Sequence, residues 1–434
     1  MKNTSDSLWT SKYEREQYPC LLEWWCTQAF FKTHINGKKW SFKISFTQWN
    51  EKKKSGSILH ASLLDKEKNK QYNYYSRDDE NKLKSKENIF HMKYKNSFIS
   101  GSYPNYESYF IDEKNDVKLY IKYEAESRPY QIFQNLTEGV MPMGLGYYKY
   151  GYIPKCRITG QLTMNNKSYK VSGIGYFEHV WGDFLYDKPL ALAFKLKKIL
   201  HAYAKLIKWR SKTLDVKIPN TIKLSTDNNP FGYDWVWSVL DQDWNIFYGN
   251  SLFWIMEGPA MGVLILSKDG KTYAEFSDIY FKYNKTRYSK VYDIFYPSDL
   301  LIKAKKGKEL LQLHFWMTSD AREYIARFEK SKFWHGFVIC EAPGEVEGYY
   351  SNGKEKIKLH GDCKIEPQRQ ASIFGHNSLK IDFLKPPKRL GLNFDFESHY
   401  FKKKVSTTLL LRPKLNIKIN FKRISKSMIK KTQK

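Results

Sequence analysis

No run of apolar residues in this chain approaches the roughly 18 needed to span a bilayer; the best, Met261 to Leu266, is far shorter. The opening MKNTSDSLWT is polar and lacks the apolar stretch of a secretory signal. Cysteine is sparse: Cys20, Cys26, Cys156, Cys340 and Cys363 are odd in number and form no C-x-x-C pair, which argues against a disulfide framework and a thiolate zinc site. The histidines, His34, His60, His314, His335 and His360 among them, show no H-E-x-x-H spacing, so no metal is expected. A G-x-S-x-G elbow and a G-x-x-x-x-G-K-[ST] phosphate loop are also missing. Acids are outnumbered, 45 against 73 basic residues, for a net charge of +28 over 434 residues. With 41% hydrophobic residues the chain is too apolar for disorder, and its length suggests about two or three domains. The expectation is a reduced, basic protein of the cytoplasm.

The shortage of acid is local. Lys188 to Lys212 holds eight Lys/Arg and no acid, and Lys402 to Lys434 holds twelve and no acid, together twenty of the net +28. In the first segment Leu192, Leu196, Ile199, Leu200, Tyr203, Leu206 and Ile207 recur at spacings of three and four, and Pro189 suits a helix start. Lys195, Lys198, Lys205, Lys208 and Lys212 fall mainly on the opposite face, with Trp209 near the end. A basic amphipathic helix with a terminal aromatic suits an anionic membrane interface, so Lys195, Lys198, Lys205, Lys208 and Trp209 are the membrane-binding candidates. The alternative is a helix packed on the body with its lysines in water. In the tail, Leu415, Ile417, Ile419 and Phe421 alternate with polar residues, which argues a strand before a basic run from Arg423 onward. Phosphates of nucleic acid would attract the same charge as lipid. Nucleic acid ranks last as a partner, because the aromatics lie in strands rather than among the basic residues.

Elsewhere the pattern is strands. Trp40 to Phe46 and Val117 to Tyr123 alternate with period two, and Asn36-Gly37, Asn165-Asn166, Asp269-Gly270 and Asn352-Gly353 mark turns. The halves repeat. Ile158-Thr159-Gly160, Val171-Ser172-Gly173 and Glu178 are matched by Val346-Glu347-Gly348, Leu359-His360-Gly361 and Glu366, each 188 residues later. An acid–Trp opening recurs as Glu23-Trp24 and Asp234-Trp235, at an offset of 211. Duplication follows.

Two stretches carry a resemblance. Leu22-Glu23-Trp24-Trp25 leads into a hairpin, and Val171-Ser172-Gly173-Ile174-Gly175-Tyr176-Phe177-Glu178-His179-Val180-Trp181-Gly182-Asp183-Phe184 follows later. They resemble the lipocalin-like family that contains carotenoid 1,2-hydratase, most clearly over residues 20–185. The resemblance implies an all-β fold, two tandem antiparallel lipocalin-like barrels with one inserted basic helix, and a ligand site between or within them. It also implies a greasy, isoprenoid-type ligand.

Hydrating an isoprenoid double bond needs a proton donor, a cation stabiliser and a placed water, with no cofactor. On an extended strand His179, Trp181 and Asp183 share one face and Glu178 the other. An imidazole beside a carboxylate is suited to acid–base work, and an indole face can stabilise a cation. The catalytic candidates are therefore His179, Trp181, Asp183 and Glu178; the resemblance adds Tyr233 and Asp234, the nearest match here to the acidic and aromatic groups that such hydratases carry on the next strand. Trp24, Trp25, Tyr176, Trp235 and Trp237 are the substrate-contact candidates. For the tryptophans the rival reading is barrel packing, and for Glu178 and its counterpart Glu366 it is a structural hydrogen bond. The expected organisation is an N-terminal barrel over 1–186, an insertion over 187–230, a C-terminal barrel over 231–422 and a tail over 423–434. The expected activity is that of a hydro-lyase peripheral on the inner membrane face; a non-catalytic isoprenoid carrier is the alternative.

Overall fold

A computed structural model describes residues 9, 11–17, 19–51, 54–86, 89–184, 195–210, 221–224, 231–253, 261–292, 294–327, 337–370, 377–384, 390–398, 403–412 and 416–423. It is all-β, with two strongly curled antiparallel sheets and few, short helices. The first sheet runs in spatial order Lys70–Asp78, Lys54–Asp65, Lys39–Glu51, Leu22–Thr33, Lys167–Gly182, Gly146–Met164, Val117–Ala125, Asn105–Asp112, Ser97–Ser102 and Phe90–Tyr94. The second repeats that order as Ala274–Phe276, Met261–Ser267, Asn245–Phe253, Phe231–Leu240, Lys356–Gln370, Phe337–Ser351, Glu309–Met317, Ile294–Lys306 and Asp278–Ser289. Thr221–Leu224 joins Asn377–Leu384, Leu390–Ser398, Lys403–Arg412 and Asn416–Arg423 in a separate five-stranded sheet. The strand read from the tail alternation is there, and the basic run beyond Arg423 lies outside the described residues.

The hairpin repeat has a physical cause. Ile158 faces Gly173 and Gly160 faces Val171, in the register that pairs Val346 with Gly361 and Gly348 with Leu359. A Cβ on Gly160 or Gly348 would lie 2.0 Å from the Tyr120 or Gln312 carbonyl oxygen, and one on Gly173 or Gly361 would lie 2.0 Å from that of Phe30 or Val239. Neighbouring strands approach so closely there that no side chain fits. Asn165 and Asn166 both have positive φ and join Met164 to Lys167, the two-residue turn whose twist matches a hairpin. The acid–Trp match needs correction. Cys26 pairs with Glu178 and Trp235 with Glu366, so Trp24 corresponds to Tyr233 rather than to Trp235. A slip of two residues preserves which face each side chain occupies, so the misalignment is invisible to the alternation pattern.

Three apolar clusters result. One fills the first curl around Trp25, Phe42, Ile44, Phe46 and Phe177, and one fills the second around Val236, Tyr248, Leu264 and Phe315. The third lies between the halves and joins Phe30, Tyr150, Tyr152 and Tyr176 to Trp235, Trp237 and Phe247. Part of each outer sheet face is covered by the other half. The N-terminal segment stops the first curl: Glu14 accepts from the Trp9 indole at 2.9 Å and from Tyr106, and its carbonyl accepts from Trp25 at 2.9 Å.

The helix Leu196–Arg210 buries Ile199, Ala202 and Leu206, while Leu200 and Ile207 are 54% and 65% exposed. The apolar stripe read from the sequence is thus wider than the surface that covers it; Leu192 lies outside the described residues. Trp209 packs edge-on against Phe133, and the Tyr203 hydroxyl donates to the Gly144 carbonyl at 2.9 Å. Lys195 reaches the Tyr147 hydroxyl at 3.2 Å and Lys205 is half-buried, whereas Lys198 and Lys208 are exposed.

Replacing Gly173 or Gly361 by alanine forces the close approach apart and should cost about 1–3 kcal/mol. Thermal unfolding would read this as a lower midpoint for either variant; an unchanged midpoint would remove the structural account of the repeat.

Candidate functional site between the two halves

Strand alternation sends the residues of Leu22–Thr33 two ways. Glu23 and Trp25 point into the first curl, and Trp24 and Gln28 point at the second half. Opposite them, His179 and Trp181 point inward with Glu23, while Glu178 points outward with Trp24. The expected parity therefore holds, and the cavity is on the side of Glu178.

That cavity holds about 840 Å³ including its mouth. From the first half it takes Trp24, Gln28, Lys43, His60, Tyr150 and Glu178; from the second, Tyr233, Trp235, Tyr324, Ile339, Glu366 and Gln368. A smaller aromatic and methionine-lined chamber shares Trp24, Tyr150, Tyr233 and Trp235 with it and extends to Phe133, Met141 and Met143, against which the helix Leu196–Arg210 packs.

Glu178 is buried, and its hydrogen bonds among the described residues come from neutral donors. The Trp24 indole reaches Oε1 at 3.0 Å, Tyr176 reaches Oε2 at 2.8 Å, and Tyr150 also donates to Oε2. The Trp235 indole bonds the Tyr150 hydroxyl at 2.8 Å, so the other half completes the shell. Burial pushes the Glu178 carboxyl above its ordinary range, and the Tyr150 and Tyr176 hydrogen bonds only partly offset that. Its repeat counterpart Glu366 lines the same cavity and is treated differently. It accepts from Lys43 and, at 2.7 Å, from Gln368. Burial pushes Glu366 upward too, opposed mainly by the Lys43 ammonium.

Lys43 crosses between halves to Glu366 and, at 2.8 Å, to Glu341, and these carboxylates hold its ammonium charged despite complete burial. Glu341 is held well below the usual carboxylate range by Lys43, Lys364 and Arg322. Tyr324 bonds His60 at 2.8 Å; burial and the surrounding cations push the imidazole down, so His60 is neutral. The arrangement therefore offers a carboxyl of raised proton affinity among aromatic rings, a second carboxyl beside an ammonium, and indole and phenol faces between them.

Of the candidate catalytic residues only Glu178 and Tyr233 line the cavity. His179 is sandwiched between Trp25 and Trp181, with ring centroids 4.7 and 4.6 Å away, bonds Glu23 at 2.8 Å and meets the Tyr13 carbonyl. The carboxylate beside it is thus Glu23; Asp183 instead accepts from the Leu21 amide at 3.4 Å. Asp234 is buried in the second half, paired with Arg369 at 2.8 Å and bonded by Tyr283. Trp24 and Trp235 line both chambers, whereas Trp25 and Trp237 bond the Glu14 and Pro154 carbonyls and lie in packed clusters. Tyr176 stands behind Glu178. Sequence reading missed Lys43, Gln28, Tyr150, Glu341 and Gln368. It noted Glu366 only as a repeat. Among the described residues no cluster of metal-ligating side chains occurs.

No protein-family model and no curated protein sequence matches the chain. Solved structures do share its fold. An AttH-like protein from Nitrosomonas europaea is 15% identical, with a TM-score of 0.56 over 81% of this chain and 94% of that one. Kievitone hydratase from Nectria haematococca is 12% identical, with a TM-score of 0.57 over 85% of this chain and 94% of that one. The structural likeness is to AttH-like lipocalin-type proteins and to a hydro-lyase.

Because the folded Glu178 holds its proton above the ordinary carboxyl value of 4.5, the folded state binds more protons than the unfolded one and loses stability as pH rises past that point. Glu178→Gln should therefore become progressively more favourable relative to wild type between pH 4 and pH 7. Denaturant titrations at both pH values check this; a stability difference that is flat or moves the other way would contradict it.

Proposed function

We propose that this protein is a hydro-lyase that adds water across a carbon–carbon double bond of a hydrophobic isoprenoid bound between the two halves. The observation that carries the reading is the pair of repeat-related carboxyls, Glu178 and Glu366, in one cavity with unlike partners. Groups that share a site but differ in environment divide into acid and base. Glu178, whose hold on its proton is raised by burial, gives that proton to one alkene carbon. The tertiary carbocation at the other carbon is met by the faces of Trp24 and Trp235, an interaction worth about 2 kcal/mol when desolvated. A water oxygen closes on that carbon and its surplus proton goes to Glu366, so the product is heavier by one water. Exchange with solvent returns the proton to Glu178. The fold shared with kievitone hydratase supports the reaction class, and the aromatic chamber beside the cavity supports a greasy substrate.

We also propose that the helix Leu196–Arg210 rests on an anionic membrane, where such a substrate dissolves. Leu200 and Ile207 stand exposed one heptad apart, with Lys197, Lys198 and Lys208 around them. The carrier reading would keep the cavity but not the chemistry.

Incubation with acyclic isoprenoids in H₂¹⁸O, followed by mass spectrometry, tests the reaction. Wild type should incorporate one labelled oxygen, and Glu178→Gln should lower the rate at least about 100-fold while binding persists. No labelled product from any isoprenoid, with binding intact, would leave the carrier. Vesicle flotation tests the helix: wild type should float with anionic vesicles and less so in salt, and Leu200→Asp with Ile207→Asp should stay behind. Equal flotation of the double variant would remove the helix from the interface.

A further inference from the structure

Gln28 is buried in the wall of the cavity, and its amide oxygen has no hydrogen-bond partner among the described residues. Its repeat counterpart has a different duty. Gln28 pairs with Tyr176 and Lys43 in the first half; the corresponding set in the second half is Trp237, Lys364 and Phe247. Trp237 packs against Phe30 and Tyr176 and spends its indole N–H on the Pro154 carbonyl. One copy of the position thus fills the interface, and the other brings an unspent acceptor to the ligand space.

A buried acceptor destabilises the fold unless something donates to it. The donors of its neighbours are committed elsewhere. Tyr150 and Tyr176 donate to Glu178, Gln368 bonds both Glu366 and Tyr233, and Tyr324 bonds His60. Lys43, directly across the strand pair from Gln28, gives two of its three N–H groups to Glu341 and Glu366. The donor that Gln28 needs therefore comes from what occupies the cavity. A water enclosed in protein makes about three hydrogen bonds. Three groups that suit it line this part of the wall: the Gln28 amide oxygen, the remaining N–H of Lys43, and Glu366, whose carboxylate has lone pairs beyond those met by Lys43 and Gln368.

We infer that Gln28 holds the water that attacks the substrate. The water donates one O–H to the Gln28 amide oxygen and the other to Glu366, and accepts from Lys43, which leaves one lone pair for carbon. That pair forms the C–O bond to the carbocation, the O–H bond toward Glu366 breaks, and its proton stays on Glu366. Gln28 exchanges no proton. Glu178 lies two residues along the strand from Tyr176, the partner of Gln28, so acid and water occupy neighbouring positions on one wall. The inference rests on the hydro-lyase reading, with Glu366 as the base.

A crystal structure of the protein tests the water without any substrate. An ordered water is expected within about 3 Å of both the Gln28 amide oxygen and Glu366; Gln28 without such a water would overturn the inference. Turnover of farnesol in D₂O tests the attack. Glu178 delivers deuterium to one alkene carbon, and the cation then either takes up water or sheds a proton and returns as carbon-deuterated farnesol. Gln28→Leu should lower the ratio of hydrated to deuterated product at least about tenfold. Both products need folded protein, so lost stability alone leaves the ratio unmoved. An unchanged ratio would overturn the role of Gln28 and leave the hydro-lyase reading standing. Neither product from wild type would overturn that reading, and the attack with it.

Discussion

A lysine stays charged out of water only where carboxylates meet it, and Lys43 finds its carboxylates in the other half of the chain. Its ammonium joins Glu341 and Glu366, which lie on consecutive strands side by side in the second sheet. Removing one partner from such a buried pair costs about 3–5 kcal/mol, because the remaining charge is left uncompensated. Together with the aromatic cluster between the halves, the contact constrains how the two curled sheets face one another. Everything else in the cavity, including the Trp235 indole on Tyr150 and Tyr150 on Glu178, depends on that mutual placement.

The same placement explains why the site is not inside a barrel. Each curl is filled by its own apolar cluster, and the first is stopped by Trp9 and Glu14. The concave space is spent on stability. What duplication adds is a pair of outer faces that meet, and a meeting face can hold polar groups that a small barrel interior could not afford. Two copies of one glutamate arrive in one cavity; different neighbours then make them chemically different. Glu178 is surrounded by indole and phenol, and Glu366 by ammonium and amide.

How far the sequence reveals this depends on the residue. The hairpin repeat is legible because glycine is obligatory where strands approach to a carbonyl's radius, at Gly160, Gly173, Gly348 and Gly361. The parity of Glu178 and His179 is legible because strands alternate. Which of the two faces a ligand is not legible, since that depends on where the second sheet packs. His179, flanked by Trp181 and followed by Asp183, reads as chemistry from the sequence; in the fold it is enclosed by Trp25, Trp181, Glu23 and the Tyr13 carbonyl. Lys43 is the opposite case. It sits among Ser41 and Ser45 on the polar side of a clean alternation, the usual sign of a solvated face, yet that face is covered by the other half. The basic helix is intermediate, since its period gives the apolar stripe but not the portion of it that the body covers.

The most direct measurement is a crystal structure of the protein grown with an acyclic isoprenoid. The account predicts density between the halves, with the chain against Trp24 and Trp235 and within reach of Glu178. Density inside the first curl beside His179, with the cavity between the halves unchanged, would contradict it.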